Sequence, residues 1–340
     1  MCRIRIATVI GLAVALATAA ALAAGSASAA TRAKQDGASL SLVGYSVAKD
    51  EYTELIPAFQ KTAAGKGVSF DQSYGASGDQ ARAVANGLPA DLVHLSLEPD
   101  VKTLVDAGLV DKGWKSQLPN NGIASTSVVV FVLRDGNPKK IKGWSDLARP
   151  GIGIVTPNPT TSGAAKWNVV AAYYSQIKAG KKPAEALDYL KQVSKNVVAF
   201  EKSGRDALNA FLSGKGDVLL TYENEAILAR RKQQPVFTII PRVTLRIDTP
   251  VAVIKTSKNL AVAKAFARYL FTPEAQRISA KFGYRPVDKS VLATTDFPPR
   301  PGLFTIDDSF VGGWSKVDPL FFDQSKGIFA KIVASGGIGG

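Results

Sequence analysis

The chain is short of the side chains that carry most enzymatic and metal chemistry. One cysteine, one histidine and one methionine serve 340 residues. The cysteine, Cys2, belongs to the opening segment MCRIRIATVIGLAVALATAAALAAGSASAA. Two arginines, an Ala/Val/Leu run and the ending Ala27-Ser28-Ala29 predict a secretory signal peptide over residues 1–29, cut after Ala29. Cys2 precedes the apolar run, whereas a lipoprotein cysteine follows it. With the leader gone no thiol is left, which excludes disulfides and a lipid anchor. One histidine and no thiol argue against zinc and other soft-metal sites, and no cofactor is expected. His94 lies in the apolar run DLVHLSL and reads as a packed strand residue. No later stretch has 18 uncharged apolar residues, so no membrane span is expected.

The motifs of several enzyme classes are missing too. GASGD places its second glycine one residue too early for a G-x-S-x-G elbow. No G-x-x-x-x-G-K-[ST] loop occurs. Glu223 and Glu225 are two apart, a spacing that does not make them face each other on a helix. A carboxylate-pair hydrolase finds no support.

What remains is a basic, exported chain. The formal charge is +14, or +12 once Arg3 and Arg5 leave with the leader. The cations are scattered, without a basic run or an aromatic ladder, so nucleic acid is not an expected partner. The field would instead enrich small anions near the surface. The 311 residues after Ala29 suffice for two domains.

Short apolar strands alternate with helical patterns along most of the length. ASLSLVGYS, GVSFDQSYG, ADLVHLSL, GDVLLTY and TPVAVI read as strands. DEYTELIPAFQKTA, PDVKTLVDAG, ENEAILARRK and NLAVAKAFARYLF read as helices. This alternation predicts an α/β fold with largely parallel sheets. Residues 125–137 form a strand pattern long enough to cross between domains, and residues 243–255 are the natural return.

Three helix starts share one form: ASGDQARAV from Ala76, TSGAAKWN from Thr161 and KSGRDALNA from Lys202. A helix N-terminus presents unpaired N–H groups and the positive end of the macrodipole, and glycine lets a ligand approach the backbone. Three such ends could surround one small oxyanion with neutral donors. Ordinary capping is the competing reading: Gln80 follows Ser77 by three residues and Asp206 follows Ser203 by three, both capping-box spacings.

VGYSVAKDEYTELIPAF, DQSYGASGDQARAV, LPADLVHLSLEPDV, TPNPTTSGAAKWN, GDVLLTYENEAIL, FTPEAQ and FGYRP, in this order, resemble the sulfate/thiosulfate-binding proteins of bacterial ABC importers. The resemblance spans nearly all of the chain after the leader. It implies the two-lobed type II periplasmic-binding fold, with the anion buried between lobes and held by uncharged donors. Its ligand positions fall on Ser46, Ser77, the Ser162-Gly163-Ala164 turn and Gly204, with Arg205 as support. The position where the family has tryptophan is Tyr222, whose hydroxyl would replace the indole N–H. Ala164 stands where the family usually has glycine.

The implied lobes are residues 37–126 with 258–297, and residues 127–257. Residues 298–340 would be a C-terminal extension on the lobes, with a frayed tail. The expected function is a monomeric periplasmic or secreted receptor, not an enzyme. It would hand sulfate or thiosulfate to a permease and its ATPase subunits. Molybdate or phosphate as ligand, or a secreted hydrolase, are the alternatives.

Overall fold

The computed structural model describes residues 37–297 and 300–334. The expected leader, its cleavage site and the glycine-rich tail end lie outside these residues.

The first half of the sheet follows the strand readings closely. Strands β1 (Ser39–Tyr45), β2 (Ser69–Gly75) and β3 (Leu92–His94) alternate with helices Lys49–Gln60 and Ser77–Ala85. The Lys49–Gln60 helix turns Tyr52, Leu55, Ile56 and Phe59 inward, an amphipathic stripe that covers one sheet face. Strand β4 (Ile123–Arg134) then crosses to the second half. There follow β5 (Ile154–Pro157), β6 (Val197–Glu201), β7 (Val218–Tyr222) and β8 (Val236–Ile239), before β9 (Thr244–Val253) returns. Two short strands, β10 (Arg285–Pro286) and β11 (Leu303–Phe304), complete the sheet.

The strand order β2-β1-β3-β9-β4-β7-β5-β6 places the two crossing strands at the centre. Pairing is parallel where helices connect neighbours, as in β1 with β2 and β3, and β5 with β6 and β7. It is antiparallel wherever β4 meets another strand and where β9 meets β3. The expectation of largely parallel sheets therefore holds within each half and fails at the crossing, because a chain that leaves and returns must run both ways there. Strand β4 is apolar on both faces: Val129, Phe131 and Leu133 enter one core, and Val128, Val130 and Val132 another. A strand covered on both sides reads as an unbroken hydrophobic run.

Helices Pro183–Lys195, Glu223–Arg231, Leu260–Tyr269 and Pro273–Lys281 pack around this frame. The C-terminal extension supplies helices Trp314–Phe322 and Ile328–Ala334. The first lies on the Gly163–Lys178 helix, with Trp314 edge-on to Trp167 at 4.7 Å, Phe321 against Tyr173 at 5.0 Å and Asp318 paired to Lys166 at 2.7 Å, and the second sets Phe329 edge-on to Phe200 at 6.3 Å. The Gly163–Lys178 helix buries eleven of its sixteen residues, Trp167, Val170, Tyr173 and Tyr174 among them.

Candidate functional site

Helices begin just past the carboxyl ends of five strands. The Ser46–Ala48 turn, which runs into Lys49–Gln60, follows β1, and Ser77–Ala85 follows β2. Gly163–Lys178 follows β5, Gly204–Leu212 follows β6, and Glu223–Arg231 follows β7 directly. Ligands of open α/β sheets gather beyond these strand ends. The first N–H groups of each helix lack an intrahelical partner and face outward with the positive dipole end.

Contacts across the two halves draw these starts together. The Gly78 N–H donates to the Thr161 carbonyl at 3.0 Å, and the Arg205 N–H approaches Ser46 Oγ at 3.5 Å. Gly163 lies against Ser96 and Leu97: a Cβ there would stand 2.1 Å from Leu97 Cδ2 and 2.6 Å from Ser96 Oγ. Glycine is thus needed at 163 for close approach, not for an unusual φ. A Cβ on Gly204 would stand 3.0 Å from Val47 Cγ2 and 3.4 Å from Ala164 Cβ. The hydroxyls of Tyr222 and Ser96 are 2.5 Å apart. Ser46, Ser77, Ser162, Gly163, Ala164, Gly204 and Tyr222 therefore belong to one junction, all buried except half-buried Ser46.

Two helix-start serines depart from the capping-box reading in part or in full. Ser77 is not a helix cap. Ala76 holds the N-cap position, and the Ser77 hydroxyl leaves the helix to donate to Asp100 Oδ2 at 2.5 Å while accepting the Ser96 N–H at 2.8 Å. The buried Asp100 carboxylate is the stronger acceptor and takes the hydroxyl hydrogen. Gln80, the expected box partner, donates instead to Ser73 Oγ at 3.0 Å. Ser203 does cap its helix, accepting the Asp206 N–H at 3.2 Å, but the Asp206 carboxylate takes the Ser203 hydroxyl at 2.7 Å rather than its N–H. Tyr222 is fully buried, and its hydroxyl meets Ser96.

The charges at the junction are internally matched. Arg205 grips Glu225 through Nε and an η nitrogen at 3.0 and 2.8 Å, and reaches Asp50 on the other half at 2.6 Å. Burial works to lower its pKa, but the Glu225 and Asp50 carboxylates outweigh it and hold the guanidinium above its ordinary value. Burial raises the Asp100 carboxyl, against the charge of Lys166 and the Ser77 hydroxyl. His94, on β3, sits 2.9 Å from the Tyr52 hydroxyl and 3.2 Å from Thr249 Oγ1, and burial pushes its pKa down to about 3. It is a packed neutral residue. Among the described residues, no group of three or more His, Cys, Asp or Glu is placed to hold a metal ion.

A cavity of about 610 Å³ opens beside the junction, lined by Ser46, Lys49, Ser203, Arg205 and Lys232 among others. A second, of about 310 Å³, meets Asp100, Ser162 and Lys166 and is walled by Phe322 and Phe329 of the extension.

A family model described as bacterial extracellular solute-binding protein matches residues 40–285. A sulfate-binding protein of Synechococcus elongatus is 45% identical over 305 residues, covering 86% of each chain. The chain belongs to the sulfate-binding family of bacterial extracellular solute-binding proteins. A thiosulfate-binding protein of Pseudomonas aeruginosa is 36% identical over 302 residues, 85% of this chain and 90% of that one. The structure of the sulfate-binding protein SubI from Mycobacterium tuberculosis H37Rv superposes with a TM-score of 0.80 at 45% identity, over 84% of this chain and all of SubI. The fold is the type II fold of the periplasmic binding proteins, and no helix among the described residues is long and apolar enough to cross a membrane.

Sequence reasoning missed Ser96, Asp100 and Trp167. Ser96 sits in the quoted stretch DLVHLSL, but only its neighbours in space make it notable. The Trp167 indole, one turn into the Gly163–Lys178 helix, donates to the Ser96 carbonyl at 2.8 Å. The pairing of Asp50 with Arg205 was equally hidden, since 155 positions separate them in the sequence.

Proposed function

We propose that this protein captures sulfate, or thiosulfate, between its two lobes and delivers it to the permease of an ABC importer. The observation that carries the reading is the convergence of uncharged donors at helix starts. Arg205, the cation beside them, already has its charge matched by Glu225 and Asp50. Ser46, Ser77, Ser162, Gly163, Ala164, Gly204 and Tyr222 form the ligand junction, Arg205 supporting it. A site of neutral donors suits a dianion that carries no proton. Hydrogen phosphate would bring a proton that calls for an acceptor aimed at the ligand, whereas the ligand positions of this reading are helix-start N–H groups and hydroxyls.

The lobes in this reading are residues 37–126 with 258–297, and residues 127–257, with β4 and β9 as the hinge. The Thr249 and Ser125 hydroxyls, 2.8 Å apart, tie the two crossing strands. The protein acts as a monomer outside the cytoplasm, its leader removed near Ala29, and catalyses no reaction. Calorimetry against sulfate, thiosulfate, molybdate and phosphate tests the reading. Tight binding of the first or second is expected, with small-angle scattering showing a more compact bound form. Binding of none, with turnover of a sugar or ester, would replace it with the hydrolase alternative.

A further inference from the structure

Ser96 is held at three points by the elements that build the junction. Its N–H donates to Ser77 Oγ at 2.8 Å, and its carbonyl accepts the Trp167 indole at 2.8 Å. Its hydroxyl lies 2.5 Å from that of Tyr222. The first partner belongs to its own half and the other two to the opposite half, so the position of Ser96 is fixed only when the halves meet. That position abuts the start of the Gly163–Lys178 helix, where a Cβ on Gly163 would come within 2.6 Å of Ser96 Oγ.

Counting hydroxyl hydrogens then assigns roles. Ser77 has given its hydrogen to Asp100 and cannot donate it again. One hydrogen lies between Ser96 and Tyr222. A phenol is more acidic than an alkyl hydroxyl and is the better donor, so that hydrogen comes from Tyr222. The Ser96 hydrogen is left over, beside the free N–H groups of a helix start. We infer that Ser96 gives its hydroxyl hydrogen to the bound anion, with Tyr222 behind it as a positioning residue. This rests on the anion-binding reading above and deepens it. Each hydrogen bond in the chain from Tyr222 through Ser96 polarises the next and strengthens the donor at its end.

The test is a double-mutant cycle on sulfate affinity with Ser96→Ala, Tyr222→Phe and the pair. Alanine keeps the N–H and carbonyl of residue 96, so the junction's backbone contacts survive. Ser96→Ala should weaken sulfate about tenfold to a hundredfold, the loss of one hydrogen bond to a charged group. Tyr222→Phe should cost less, and the double variant no more than Ser96→Ala alone. Ser96→Ala also leaves the buried Tyr222 hydroxyl short of a partner, so some loss of melting temperature is expected; a purely structural role would lower the melting temperature and leave the sulfate affinity of the folded protein unchanged. Ser96→Cys, close in size and a weak donor, should behave like Ser96→Ala and guards against a folding defect. No sulfate binding by the parent overturns the functional reading and the inference with it. Sulfate binding by the parent, with Tyr222→Phe the larger loss or with additive losses, overturns the inference alone.

Discussion

Ser203-Gly204 and Ser77-Gly78 look alike in sequence, each a serine and a glycine with a polar residue three places after the serine. In the fold they differ. Ser203 spends its hydroxyl locally, on the cap of its own helix and on Asp206. Ser77 reaches out of its helix to Asp100 and Ser96. A cap is a contact between near neighbours, and any chain with this spacing can make it. The bridge from Ser77 depends on a buried carboxylate 23 residues away that no local rule predicts. The lesson is that one motif can serve helix termination in one place and lobe architecture in another, and burial decides which.

The largest effect should come from the charge next to the capped start. Arg205→Ala leaves Glu225, fully buried, without its partner, which costs about 3–5 kcal/mol of stability. Denaturant unfolding measures it, and a variant as stable as the parent would mean that the ion pairs contribute nothing there. Next come the glycines. Gly163→Ala forces a Cβ into Leu97 and Ser96 and should cost about 3 kcal/mol of sulfate binding, the upper end for overpacking. Gly204→Ala meets looser contacts and should cost about 1 kcal/mol by the same argument. Titration calorimetry showing equal losses would erase the distinction between the two starts.

The serines sharpen the comparison further. Ser77→Ala strips a donor from buried Asp100 and an acceptor from the Ser96 N–H. It should cost about 2 kcal/mol, seen in sulfate affinity as well as in melting. Ser203→Ala should cost about 1 kcal/mol of stability, as lost caps do, and leave affinity nearly intact. A larger affinity loss at Ser203 than at Ser77 would invert the assignment.

The last comparison concerns pH and two buried groups, Glu51 in the first turn of the Lys49–Gln60 helix and His94 on β3. Burial raises Glu51 from 4.5 to about 8 and lowers His94 from 6.5 to about 3. Folded Glu51 keeps a proton that the unfolded chain releases, so its contribution to stability is lost as pH rises from about 4.5 to 8. Folded His94 refuses a proton that the unfolded chain binds, so stability is lost as pH falls from about 6.5 towards 3. The two slopes oppose each other between about 4.5 and 6.5, so stability should be flattest there and fall on both sides. Urea midpoints across pH check this, and Glu51→Gln should remove the alkaline fall. Sulfate affinity should stay level over that alkaline range, where the neutral donors do not titrate. Any change should come at the acid end, from Asp100, and vanish in Asp100→Asn.

The sequence by itself determined the α/β class, the two crossing strands and the helix starts. Each of these is written in short-range pattern: apolar runs for strands buried on both faces, three-and-four spacing for helices, Ser-Gly at their beginnings. It also marked Tyr222, because a tyrosine closes GDVLLTY at a strand end. Only the tertiary structure decided what the donors do. Ser96 and Asp100 carry no local signal, since serine and aspartate are ordinary near a helix start. They matter because burial leaves a carboxylate and a hydroxyl no water to bond, so each must find a partner across the chain. The match of Arg205 to Glu225 and Asp50 is likewise a property of the closed junction. Charge balance over a few ångströms depends on which segments meet in space, and a one-dimensional pattern does not hold that information.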